Sequence, residues 1–390
     1  MKNNKKVFIF LGSYAGKNFD VLKNYYFKKS LSFSNGEFER VLFENFKKNN
    51  ECVFISAPAI GYWPRKSKKA FFSSKSCKEE DNLQICSYFT IFMLSHISKQ
   101  ISMYKKAREI IRFYKKKNYD LVLIACEAHR PYLEVLQKTK KKYGIKTALI
   151  VPDLPQNMYS SQTRIYNFFK KINSKKVICI AEKYVDAYWF FTNSISNKIP
   201  HKNKPFIVRE GIIESFNINK TYHKTTECTY IGKTDSWNGI NFIVEAAKQI
   251  PDFAFNIYGS GELDNYLKEL KIPNLKYHGY VNPDNVNQIL LDSDVLLSPR
   301  DPCAPFSSDS FPSKVLKYCS VCKPIVTFKL SCYGEKFDNL FFYPKELTFS
   351  SFSTTILEAA KNADNMKIKY EKNLNQLLVE NIVSSFMKIL

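Results

Sequence analysis

A chain of 390 residues with 45% apolar residues, 12 Gly and 16 Pro is too long for one ordinary core and too apolar for disorder, so it reads as two globular domains. Ten cysteines scattered singly along it exclude a small disulfide scaffold and read as reduced thiols of a cytoplasmic protein. The net charge of +23 is uneven: residues 1–200 hold 37 Lys+Arg against 15 Asp+Glu, whereas residues 201–390 hold 22 against 21, so the first half is read as facing an anionic partner, nucleic acid or a lipid surface.

The first apolar run, Val7–Leu11, is short for a signal segment and lacks a small-residue cleavage site, which predicts a buried first strand. The loop after it, Gly12-x3-Gly16-Lys17-Asn18, is one residue short of a P-loop and lacks the Ser/Thr that would hold magnesium. Further strands are predicted at Cys52–Ala57, Leu121–Ala125, Thr147–Val151 and Tyr188–Phe191, separated by longer helical stretches. Between the first two and the third lies Tyr62–Phe72, where Arg65, Lys66, Lys68 and Lys69 are flanked by Trp63 and two phenylalanines, a mixture suited to lipid headgroups. The longest uncharged stretch, Asn82–Ser98, is too short and too polar to span a bilayer.

A polar, basic linker is expected within Asn217–Glu227. Beyond it, strands at Cys228–Ile231, Phe253–Tyr258, Leu275–Tyr277, Val295–Leu297 and Pro324–Phe328 alternate with helical segments at Gly239–Gln249, Glu262–Leu270, Asn285–Leu291 and from about Pro312. This βα rhythm predicts an α/β protein of two doubly wound domains, whose ligands bind outside the carboxyl ends of parallel strands. Tyr230-Ile-Gly232-Lys233 puts a glycine and a cation at such a strand end, a pocket suited to a diphosphate. Cys319 and Cys322 form a CxxC flanked by Cys303 and Cys332, but these spacings match no standard zinc pattern, and no metal is expected.

Three segments in order, Tyr230–Gly239, Leu297-Ser-Pro-Arg300 and Asp309-Ser-Phe-Pro-Ser-Lys314-Val-Leu-Lys317-Tyr318, resemble the large retaining glycosyltransferase family of bacterial capsule, lipopolysaccharide and exopolysaccharide enzymes (glycosyltransferase family 4-like). One subset of that family writes its donor box as Ser-Phe-Pro-Ser-Lys, as residues 310–314 do here. The resemblance is looser in the first half, where Val151-Pro-Asp153-Leu-Pro155 matches an Asp-Leu-Pro turn.

The resemblance implies a GT-B fold of two Rossmann-like domains facing across a cleft: 1–220 binding acceptor, 221–370 binding donor, and 371–390 a helix packing back on the first domain. It implies that Lys233 neutralises a donor diphosphate beside Gly232, aided by backbone N–H groups near Ser313 and Lys314. Val281 would lie against the base, Asp309 near the transferred sugar, and Gly12 and Gly16 in the glycine loop of the donor side. His129 would be the polar group near the reacting sugar, with an ordinary loop histidine as the alternative; Asp153 would lie on the acceptor side. Two residues depart from the pattern: Lys317 stands where the family has the Glu that holds the ribose hydroxyls, and Asn238 where it has a second cation. Glu335 is a neighbour that could substitute for the missing Glu.

The activity so implied is transfer of a sugar from a nucleotide diphosphate sugar to a glycan or lipid-linked acceptor in surface-polysaccharide synthesis, without cofactor or metal. The protein is expected to be cytoplasmic, peripheral on an anionic membrane at its inner face, and not to bind nucleic acid. A nucleic-acid-binding protein and a catalytically inactive relative remain the alternatives.

Overall fold

The computed structural model describes residues 5–18, 21–22, 25, 34–78, 80–156, 164–217, 225–304, 306–362 and 366–390. They form two units, Met1–Glu210 with Val379–Leu390, and Gly211–Leu378. The expected linker residues 218–224 lie outside the described residues.

In the first unit the apolar runs become central strands because a parallel sheet covered on both faces buries every side chain of its inner strands. β1 (Lys6–Gly12), β2 (Glu51–Ser56), β6 (Asp120–Ala125), β7 (Lys146–Val151) and β8 (Ala187–Phe190) are buried almost throughout. Two shorter strands, β4 (Leu83–Ile85) and β9 (Phe206–Val208), edge them in the order β4-β2-β1-β6-β7-β8-β9, all parallel. A separate antiparallel pair, β3 (Phe71–Phe72) and β5 (Tyr88–Phe89), sits outside this sheet. The helices of the unit are α1 (Ser34–Lys47), α2 (Leu94–Lys116), α3 (Arg130–Tyr143), α4 (Arg164–Tyr184) and α5 (Asn193–Lys198).

The second unit repeats the plan with β10 (Glu227–Ile231), β11 (Ala254–Tyr258), β12 (Leu275–Gly279), β13 (Val295–Ser298) and β14 (Ile325–Thr327), all parallel in the order β12-β11-β10-β13-β14. Its helices are α6 (Ile240–Gln249), α7 (Asp264–Glu269), α8 (Pro283–Asp292), α9 (Ser313–Ser320), α10 (Phe349–Lys361) and α11 (Met366–Leu374). The unit begins before the expected boundary because its first residues bond to its own body: the Ile213 amide donates to the Leu377 carbonyl at 2.8 Å and that of Asn217 to Ser320 at 2.7 Å. α12 (Val379–Ile389) belongs to the first unit, where Phe386 meets the edge of Trp189 at 5.5 Å and of Phe46 at 6.4 Å.

Cys319 and Cys322 are both buried and free, and Cys322 takes the left-handed φ of +56° just after α9 ends. Among the described residues no group of three or more His, Cys, Asp or Glu could hold a metal ion. No described helix is long and apolar enough to cross a membrane.

Candidate active site

In the second unit the strand order reverses between β10 and β13, and their carboxyl ends open the crevice where doubly wound sheets bind ligands. Gly232 and Lys233 follow β10, Pro299 and Arg300 follow β13, and α9 starts at Ser313 beside them. A Cβ built on Gly232 would lie 3.5 Å from Cδ of Lys314. The neighbouring turn after β11 comes so close that a Cβ on Gly259 would overlap the Gly232 carbonyl oxygen. Two tyrosines hold the β10 end: Tyr230 donates its hydroxyl to the Lys233 carbonyl at 2.5 Å, and the Tyr318 hydroxyl accepts from the Ile231 amide at 2.8 Å.

Two basic side chains, Lys314 and Arg300, stand in this crevice, with the carboxylates of Asp309 and Asp235 also near. Lys314, in the first turn of α9, has its Nζ buried 3.9 Å over the Tyr230 ring and without a hydrogen-bond partner among the described residues. Burial, and then the charge of Arg300, hold its pKa well below the ordinary lysine value. Arg300 gives one bond, from Nη1 to the Ser310 carbonyl at 2.8 Å, while its Nε is buried without a partner among the described residues. The N-cap residue of α9, Pro312, makes no side-chain cap hydrogen bond. The buried Lys314 Nζ and Arg300 Nε thus stand near the start of α9, an arrangement that favours an anion.

Other residues singled out from the sequence belong to the same unit. Lys233 is exposed, Asp309 is buried just before α9, Ser313 is exposed, and Lys317 is half-buried one turn further along that helix. Val281 is half-buried beyond the carboxyl end of β12, and Glu335 is exposed. The sequence signal for Arg300 is a cation two residues beyond a buried strand.

The first unit has its own crevice, where the order reverses between β1 and β6. Gly12 ends β1 and Ser13 follows it; the Ser13 amide and hydroxyl donate to the same oxygen of Glu39 at 2.8 and 3.1 Å. A Cβ on Gly12 would overlap this carboxyl group, and one on Gly16 would overlap Glu80, which accepts from the Lys17 amide. Both glycines thus have a packing reason of their own, and the loop's Ser13 and Lys17 N–H groups are already bonded to protein carboxylates.

His129 is half-buried at the N-cap of α3, its ring 5.3 Å from that of His96 and 5.0 Å from that of Tyr132. Burial, then the charges of His96 and Lys99, hold it well below the ordinary histidine pKa, so it is neutral. Around it stand His96, lowered to about 4 chiefly by burial, and Lys99, lowered to about 8 by burial against the pull of Glu127. Asp153 is half-buried after β7, while Trp63, Arg65, Lys66, Lys68 and Lys69 are exposed after β2. Glu39, Glu127, His96 and Lys99 escaped sequence reading because they are scattered over three elements and match no local pattern.

Glu39 is fully buried, and burial and then the charge of Glu127 raise its pKa to about 8. The folded state keeps a proton that the unfolded state releases near 4.5, so this contribution is complete below 4.5 and is lost as pH rises to about 8. His96 acts oppositely, but only between about 4 and 6.5, which leaves pH 6.5–8 as a window set by Glu39. Glu39→Gln, which still accepts from Ser13, should abolish the fall in Tm across that window, as thermal melts at fixed ionic strength would read.

Residues 225–361 match the family described as "Glycosyl transferases group 1". The match covers 137 of the 390 residues, all within the second unit. Solved structures resembling the whole chain include the pneumococcal O-GlcNAc transferase GtfA in complex with UDP and GlcNAc, at 12% identity, 99% and 98% coverage of the two chains and a TM-score of 0.56. Anabaena HepE in complex with UDP and glucose gives 13%, 98% and 100%, and 0.61. The lipopolysaccharide outer core galactosyltransferase WaaB gives 13%, 98% and 98%, and 0.58. The fold is GT-B. No curated protein sequence matches the chain.

Proposed function

We propose that this GT-B protein moves a sugar from a nucleotide diphosphate sugar to a glycan or lipid-linked acceptor in surface-polysaccharide synthesis, with retention of configuration, at the inner face of an anionic membrane. The observation that carries the reading is the pair of buried cations, Lys314 and Arg300, meeting the N-terminus of α9 without a counter-charge among their hydrogen-bond partners. A diphosphate supplies that charge. UDP in the GtfA and HepE structures supports a uridine nucleotide, and the WaaB likeness supports a surface glycan as product.

In the reaction, the bond between the sugar's anomeric carbon and the diphosphate oxygen breaks as an acceptor hydroxyl attacks from the same face, and the hydroxyl's proton passes to the departing diphosphate. Negative charge grows on the leaving oxygen, and Lys233, Lys314, Arg300 and the α9 amides stabilise it without metal, so catalysis is positioning plus electrostatics. Asp309 is assigned to the sugar hydroxyls, and Val281 to the base.

Calorimetric titration with UDP-, GDP- and CMP-sugars, paired with a donor-hydrolysis assay, tests the reading. Saturable binding of at least one diphosphate sugar with slow hydrolysis is expected; binding of nucleic acid at physiological salt, with no nucleotide sugar bound, would overturn it. In this reading Lys317 faces the ribose, where an ammonium can only donate. Lys317→Glu should therefore tighten donor binding, since a carboxylate accepts from both hydroxyls; unchanged or weaker binding would show a rebuilt ribose site.

A further inference from the structure

The start of α2 is built inside out. Its first two turns bury Ser95, Lys99 and Gln100, while Leu94, Ile97 and Ile101 are 47%, 53% and 60% exposed. Further along, the helix returns to the ordinary pattern, with Met103, Ala107 and Ile111 buried and Lys105, Arg112 and Lys116 exposed. A helix facing water does not place its aliphatic stripe outward and its lysine inward. The polar inner side has a use, because Lys99 lies 4.4 Å over the Tyr88 ring and His96 bonds the Tyr62 hydroxyl at 2.9 Å in the wall of the first unit's crevice. Among the described residues no element covers the outer side.

The stripe continues into its neighbours. Phe92 and Met93 precede it and are exposed, and Phe92 meets the edge of Tyr62 at 5.3 Å. The Phe89 amide donates to the Ser98 hydroxyl at 3.0 Å, which ties the β3–β5 pair to the helix, and Phe89 packs against Phe71 at 5.1 Å with both rings exposed. Trp63, also exposed, pairs with Ile91 and leads into Arg65, Lys66, Lys68 and Lys69. This is a contiguous apolar face larger than scattered exposed side chains produce, and it has a cationic margin.

We propose that this face inserts into an anionic bilayer, with Leu94, Ile97, Ile101 and Met93 reaching the acyl layer, the exposed aromatics at the interface, and the four cations of 65–69 among lipid phosphates. The composition decides between occupants: residues 62–106 hold nine Lys+Arg against three Asp+Glu, so a second copy seated on the same face would bring like charges together, whereas anionic lipid neutralises them. The inference deepens the membrane reading above from electrostatic contact to insertion, and it needs nothing of the donor chemistry. It also makes α2 a wall with lipid on one side and the Lys99–His96 cluster on the other.

The test is vesicle co-sedimentation of the full chain with phosphatidylcholine alone and with phosphatidylglycerol added, at low salt and after a wash at about 1 M salt, where surface charge is screened within about 3 Å. Wild type should bind only the anionic vesicles and resist the wash. Leu94→Ser/Ile97→Ser/Ile101→Ser should bind at low salt but come off in the wash, with partitioning lowered by more than about tenfold. Serine at 65, 66, 68 and 69 should weaken capture at low salt, while the fraction that binds still resists the wash. Unchanged nucleotide titration and melting would show that the aliphatic variant is folded. Release of wild type by salt, or an aliphatic variant as resistant as wild type, overturns insertion while leaving electrostatic docking intact; no binding to anionic vesicles overturns both. A wild-type dimer that the aliphatic variant converts to monomer in sedimentation velocity overturns insertion in favour of a second copy.

Discussion

Lys233→Ala should cut donor turnover by roughly 30- to 1000-fold, about 2–4 kcal/mol of transition-state stabilisation, while leaving the melting temperature almost unchanged. The side chain is exposed at the end of β10, so truncation removes little packing, and the Tyr230 hydroxyl bonds the Lys233 carbonyl rather than its amine. What is lost is one charge-assisted contact to a phosphate, at the point where negative charge grows as the glycosidic bond breaks. Turnover within about threefold of wild type, in a variant that melts normally, would remove Lys233 from the mechanism.

Lys314→Met should separate stability from function in the opposite sense. The wild-type ammonium is buried over Tyr230 with Arg300 near it, which makes it a liability in the empty protein. Methionine keeps the aliphatic stem, so the variant should melt at the same temperature or higher, while affinity for a diphosphate sugar falls by about 10- to 100-fold. The pH dependence has a definite sign. With the free-state pKa depressed by burial and Arg300, an arriving diphosphate raises it, so binding takes up a proton in the interval between the free and bound values. Affinity should fall as pH rises through that interval. Calorimetry in two buffers of different ionisation enthalpy would detect the proton uptake in wild type and its disappearance in Lys314→Met; uptake persisting in the variant would assign it to another group.

The β-strands that carry the two crevices were legible because each is an apolar run bounded by turn residues, and a parallel strand buried on both faces leaves that mark. Their ends fell within a residue or two, as with Val7–Leu11 against Lys6–Gly12. The edge strands Leu83–Ile85 and Phe206–Val208 and the pair Phe71–Phe72 with Tyr88–Phe89 left none, since two or three residues carry no periodicity. Lys233, Ser313 and Lys314 were legible as a strand end and a helix start. The reason Gly12 must be glycine was not: it is the carboxyl group of Glu39, brought from α1 by tertiary packing alone. The inverted face of α2 was hidden too, because an uncharged stretch shows its composition but not which side of it meets the sheet.

α12 has a consequence for biosynthesis. The first unit closes its core only when Phe386 reaches Trp189 and Phe46, yet residues 211–378 emerge in between and form a body of their own. During translation the sheet of the first unit must therefore wait, with one apolar flank uncovered, while nearly half the chain is made after its last strand, a delay of roughly 10–40 s at typical bacterial and eukaryotic elongation rates. Nascent chains shorter than about residue 386 should be chaperone clients, and their release from that state should coincide with arrival of α12 rather than with folding of the second unit.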